Sequence, residues 1–131
     1  PTYWGIVSEI GDSCFQRNNI KVIFNWGIIQ EVGKCAFYVN DIERIDNWGD
    51  LRVIRQGAFC SNNISELTAS FRGIESIEAV AFAGNNIYSE IGDMYMVPQV
   101  KCNVFDRNPG ARTLFKKYLE ERKRYCLATR N

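Results

Sequence analysis

The chain contains no histidine. It therefore lacks the usual general base near neutral pH, the partner that activates serine and cysteine nucleophiles, and the commonest metal ligand. Five cysteines remain, Cys14, Cys35, Cys60, Cys102 and Cys126. They form no Cys-x-x-Cys pair and no metal spacing, which argues against zinc, and an odd count at unmatched positions points to free, mostly buried thiols in a reducing compartment. Gly27 to Cys35 superficially resembles a phosphate loop because it ends in Gly33-Lys34, but its spacing is one residue too long and Cys35 replaces the required Ser or Thr. The carboxylate pairs Glu9 with Asp12 and Glu90 with Asp93 fall on turns, where solvated acids are expected. The glycosylation sequon Asn63-Ile64-Ser65 is discounted because Ile64 faces inward. No catalytic constellation emerges: the expectation is a non-enzyme with no cofactor and no metal.

The residues that remain as candidates suit binding. Trp4, Trp26 and Trp48 are spaced 22 apart, each followed by Gly5, Gly27 or Gly49, and Phe71 and Met94 continue the series. Such a column is either a packed ladder or an exposed stripe of rigid aromatic contact area. A second candidate is charge. Residues 107–131 hold eight Lys+Arg and two Asp+Glu, a balance of +6, whereas the rest of the chain holds eight and thirteen, a balance of −5. Lys116, Lys117, Arg122, Lys123 and Arg124 form a basic cluster that would suit an acidic partner or a phosphate backbone.

What must position these residues is a tandem repeat. Phe15, Phe37, Phe59, Phe82 and Phe105 recur at intervals of 22, 22, 23 and 23. Five residues before each stands Ile10, Val32, Ile54, Ile77 or Val100, and three residues after each stands Asn18, Asn40, Asn62, Asn85 or Asn108. Ile20, Ile42, Ile64 and Ile87 follow two positions later. Each coil buries its aliphatics and Phe against the same columns of the next, giving a solenoid of about four and a half coils about 4.8 Å apart. The Asn column is expected to hydrogen-bond the main chain of its own and adjacent coils. Lys21 to Phe24, Glu43 to Asp46 and Ser65 to Thr68 alternate, with Ile23, Ile45 and Leu67 inward, and are expected to be short parallel strands. Their outward neighbours Val22, Phe24, Arg44, Asp46, Glu66 and Thr68, followed by Glu90 and Gly92, vary from coil to coil. Variable side chains on a regular frame suit recognition of one large partner.

The repeat pattern, as in Val7-Ser8-Glu9-Ile10-Gly11-Asp12-Ser13-Cys14-Phe15 or Ile74-Glu75-Ser76-Ile77-Glu78-Ala79-Val80-Ala81-Phe82, resembles the BspA-like or Treponema-type leucine-rich repeats over about residues 3 to 110. The family often carries Cys at the Asn column and Pro after the strand, where this chain has Trp26 and Trp48. The resemblance implies a right-handed α/β leucine-rich repeat solenoid and an extended binding surface of the kind found in bacterial, cell-surface and some protist proteins.

After Asn108 the period stops. Pro109-Gly110 introduces an amphipathic helix over Ala111 to Thr129, with Ala111, Leu114, Phe115, Tyr118, Leu119, Tyr125 and Cys126 at helical spacing. The expected division is a repeat region over 1–108 and a basic capping helix over 109–131 that covers Val100 and Phe105. At the other end, Tyr3 and Trp4 belong to a half coil without a polar cap, which predicts self-association as a homodimer through that end, coverage by an upstream repeat, or Tyr3 and Trp4 folding over the edge themselves.

The 131-residue chain has 46% hydrophobic residues and a net charge of +1, and its longest apolar runs are far shorter than the roughly 20 residues of a membrane span. The leading expectation is a cytoplasmic or mobile-element-encoded protein-binding module, bacterial or phage, that binds a larger partner, inhibition being one form of that role; anti-CRISPR-type inhibitors are one example of the class. Pro1, before which an initiator Met is commonly trimmed, fits that reading. The alternatives are a repeat fragment of a bacterial cell-surface adhesin, and a nucleic-acid or acidic-partner contact through the basic helix. Nucleic acid is the less favoured partner.

Overall fold

The computed structural model describes residues 9–23, 28–89 and 91–129. Its strands are two residues long: β1 Glu9–Ile10, β2 Val22–Ile23, β3 Glu31–Val32, β4 Arg44–Ile45, β5 Val53–Ile54, β6 Ser76–Ile77 and β7 Gln99–Val100. A 3-10 turn spans Met94–Met96 and one α-helix, α1, spans Ala111–Ala128. Five strands form a parallel sheet in the order β1-β3-β5-β6-β7, and β2 pairs with β4 in a second parallel sheet. In the larger sheet Ile10 pairs with Val32, Val32 with Ile54, Ile54 with Ile77 and Ile77 with Val100. One sequence period is thus one step of the ladder.

The larger sheet lies where no strand was expected, on the aliphatic column five residues before each Phe. The expected strands at 21–24 and 43–46 shrink to β2 and β4, and no backbone hydrogen bond joins 65–68 to its neighbours among the described residues. The physical reason is register. Buried Ile45 and Trp48 stand three and six residues after Ile42, but Leu67 and Phe71 stand three and seven after Ile64, and Ile91 and Met94 four and seven after Ile87. The extra residue enters after Leu67 in one coil and before Ile91 in the next, so Leu67 keeps the place of Ile45 but 65–68 and 88–91 are out of register with each other. Between the Phe-5 column and the Phe itself the count never changes, and the ladder runs through every coil.

The core is a set of stacked columns. The rings of Phe15 and Phe37, Phe37 and Phe59, and Phe59 and Phe82 stack at 5.3, 5.4 and 5.5 Å between centroids. Two positions per coil, two residues before and two after the Phe, take left-handed φ. These are Ser13, Cys35, Gly57 and Val80 on one side and Arg17, Val39, Ser61, Gly84 and Arg107 on the other. An L-residue there costs about 1 kcal/mol, and the conformation is held by bonds between coils. The amides of Ser13, Phe15 and Arg17 donate to the carbonyls of Lys34, Ala36 and Tyr38, and those of Cys35, Phe37 and Val39 to Gln56, Ala58 and Cys60, all at 2.8 to 3.1 Å.

Each Asn completes this lattice. Asn62 Oδ1 accepts from the Ile42 amide at 3.0 Å, while Nδ2 donates to the carbonyls of Phe37 and Phe59 at 2.9 and 3.0 Å. Asn85 and Asn108 repeat the arrangement. Asn40 bonds Ile20 and Phe15 in the same way. Gly33 is steric: a Cβ there would sit 2.7 Å from the Asp12 nitrogen.

Helix α1 follows the last coil and packs against part of it. Leu114 and Tyr118 join the core, Phe115 packs against it, and Phe105 is buried beneath. The helix packs on the 3-10 turn and does not reach β7, so Val100, which the cap was expected to cover, stays half-buried.

Candidate recognition surfaces

On the smaller sheet side, Ile23, Ile45 and Leu67 turn inward and are buried. Arg44, Asp46, Glu66, Thr68 and Gly92 are exposed and Val22 is half-buried. Phe24 and Glu90 lie outside the described residues. Arg44 Nε pairs with Asp46 Oδ1 at 3.1 Å, an exposed ion pair within one coil. Next to this row run Lys21, Glu43, Ser65 and Tyr88, all exposed. Tyr88, 67% exposed, was missed by the sequence reasoning. Its place directly after the Ile column, matching Lys21, Glu43 and Ser65, was the signal that could have found it.

The aromatic column is not a binding stripe where it is described. Trp48 is only 2% exposed, and its ring lies 5.5 Å from Phe71 and 5.7 Å from Phe59. Phe71 and Met94 are fully buried. Trp48 turns inward onto the rings of Phe59, Phe71 and Phe82. Trp4 and Trp26, like Tyr3, lie outside the described residues.

The basic helix divides into two kinds of residue. Arg122, expected on the outer face, is half-buried: Nη1 donates to the carbonyls of Tyr95 and Met96 at 3.0 and 3.2 Å, and the guanidinium sits 5.7 Å over the Tyr125 ring. It caps the 3-10 turn, whose last carbonyls would otherwise lack donors. Lys117 donates from Nζ to the Ser89 carbonyl at 2.8 Å. Lys116, Lys123 and Arg124 face solvent. Tyr118 anchors the inner face, its hydroxyl donating to the Val97 carbonyl at 2.5 Å. Burial pushes the Tyr118 phenol above its ordinary value, against an opposing pull from Arg122. Leu119 and Cys126, expected on the apolar stripe, are exposed, as is Leu127, because only the side chains facing the 3-10 turn and Val97 find something to pack on.

Sequence reasoning also missed a charge clamp on the larger sheet. Arg55 Nη1 donates to Glu78 Oε2 at 2.8 Å and its Nε donates to Glu31 Oε1, so one guanidinium joins three coils. These bonds, with Glu31 first, hold the Arg55 guanidinium above its ordinary value. Of the thiols, Cys60 is buried and Cys35 half-buried, but Cys14, Cys102 and Cys126 are exposed, against the expectation of mostly buried cysteines; all five are free. Among the described residues no group of His, Cys, Asp and Glu could hold a metal ion, and no helix is long and apolar enough to cross a membrane.

A family model for the BspA type leucine-rich repeat region matches residues 5–108 in six copies. No curated protein matches, and no solved structure matches.

Proposed function

We propose, from the premise that this chain belongs to the BspA-type leucine-rich repeat family, that it is a right-handed solenoid whose smaller sheet side binds one larger protein. Repeats of this family suggest a protein-interaction module and are typically non-enzymatic. The observation that carries the reading is the contrast between columns. Ile45 and Leu67 are buried in matching places, while the exposed neighbours Arg44, Asp46, Glu66 and Thr68 follow no repeat. Folding explains the first set and leaves the second unconstrained, and unlike side chains on a rigid frame give a surface its specificity.

The test is affinity capture from the native host with two variants. Arg44→Glu with Glu66→Lys should lose the captured protein, whereas Lys116→Glu with Lys123→Glu and Arg124→Glu should keep it. The opposite pattern would move the site to the helix and favour an acidic or nucleic-acid partner, for which the exposed Lys116, Lys123 and Arg124 are the specific argument.

A further inference from the structure

The lattice of hydrogen bonds between coils ends without a partner at its last coil. In every earlier coil the amides two before, at, and two after the Phe are engaged by the next coil. Gly57, Phe59 and Ser61 donate to Ala79, Ala81 and Ala83 at 2.9 to 3.0 Å, and Phe82 and Gly84 to Val104 and Asp106 at 3.2 and 2.8 Å. Val80 donates to Asn103 Oδ1 at 3.3 Å. The equivalent amides of the last coil, Asn103, Phe105 and Arg107, have no acceptor among the described residues. Phe105 is buried, but Asn103 is half-buried and Arg107 exposed. The strand feeding this turn, β7, is an edge strand with β6 on one side only, and α1 stands over the 3-10 turn instead of over β7. An edge of this kind is a template for one more strand.

Charge says what that strand should carry. Along the row four residues before each Phe, Arg55 is followed by Glu78 and then by Lys101. Arg55 pairs with Glu31 behind it and Glu78 ahead of it. Lys101, exposed at the end of the row, has no ion pair among the described residues, while Arg107, at the far end of the turn, turns its guanidinium back to donate to Cys60 Sγ at 3.3 Å. Asp106 is the single exposed carboxylate of this turn. The row opens with Gly11 and Gly33, so only Arg55, Glu78 and Lys101 carry charge in it, and the exposed Lys101 at the edge is the charge that an acid in the next position would meet, with the basic face of α1 adding attraction of the same sign.

We propose that β7 and the turn 101–107 bind an extended acidic segment of a protein partner as an added strand, its carbonyls accepting from Asn103, Phe105 and Arg107 and its carboxylates meeting Lys101. This surface is separate from the smaller sheet side, and it can fail or succeed independently of that site.

The test uses a capped synthetic nonapeptide of alternating Glu and Val, titrated into the ¹⁵N-labelled full chain. Amide shifts should change over Gln99 to Arg107, and hydrogen exchange at Asn103, Phe105 and Arg107 should slow about tenfold at saturation. A peptide N-methylated on the strand-forming edge should not bind, and Lys101→Glu should weaken binding about fivefold. No shift at about 1 mM peptide, shifts confined to α1 or to the Arg44 side, or affinity indifferent to Lys101→Glu would each overturn the proposal.

Discussion

Among single residues, the column asparagines are the most consequential for the fold. Asn62 is buried and serves three backbone groups in two coils, so Asn62→Ala strands one amide and weakens two carbonyls away from water. At roughly 1–3 kcal/mol for a buried group left unsatisfied, the expected loss is about 3 kcal/mol. Asn18, which is exposed and among the described residues reaches only the Gln16 carbonyl at 3.3 Å, should cost under about 0.5 kcal/mol when changed to Ala. Urea unfolding of the two variants decides the matter, and equal losses would mean that the column matters for something other than its bonds between coils. This role was legible in the sequence because an amide repeated at a fixed corner has few other uses. The fate of Trp48 was not legible, since a stacked aromatic column has the same spacing whether it faces inward or outward, and only its contacts with Phe59, Phe71 and Phe82 show which.

Among elements, the helix shows what periodicity conveys and what it omits. Its start after Pro109-Gly110 and its Leu114–Tyr118 contact follow from the pattern, yet the same pattern placed Leu119 and Cys126 inside and Arg122 outside. Apolar spacing identifies a face but not how far the partner surface extends, and here that surface is one 3-10 turn and Val97. Strand position was similarly half legible: alternation around Ile23 and Ile45 marked β2 and β4, but the unchanging count between the Phe-5 column and the Phe, which builds the five-stranded sheet, carries no alternation to notice. The helix contact makes a pH prediction. The Tyr118 phenol is raised above the ordinary value of 10.0, chiefly by burial. Its neutral form is therefore favoured in the folded state, and its contribution is complete below about pH 10 and lost as pH rises through the folded value. Tyr118→Phe should cost about 1 kcal/mol at neutral pH from the lost bond to Val97. It should then lose less stability than the parent between about pH 9 and about pH 11. Parallel pH profiles of thermal unfolding for the two proteins would contradict this.

For the whole molecule, the columns imply that stability is communicated from coil to coil and not through a common centre. Phe37 touches Phe59 at 5.4 Å with rings 3° from parallel, and Phe59 touches Phe82 at 5.5 Å, so the Phe59 ring stands between Phe37 and Phe82. Nearest-neighbour coupling is the energetic form that such a stack should take. Replacing Phe by Leu keeps most of the volume while removing the ring face, which makes it suitable for double-mutant cycles. Phe37→Leu with Phe59→Leu should show a coupling of about 0.5–1.5 kcal/mol. Phe37→Leu with Phe82→Leu should be additive within about 0.5 kcal/mol. The measurement is equilibrium denaturation of the four proteins in each cycle, with the slope on denaturant checked for constancy. If the separated pair coupled as strongly as the adjacent one, the coils would be acting as a single cooperative core, and the surfaces on different coils could not then be treated as independent. Additivity of the separated pair would instead allow the smaller sheet side and the β7 edge to be altered one at a time, because a change confined to one coil would reach only its immediate neighbours.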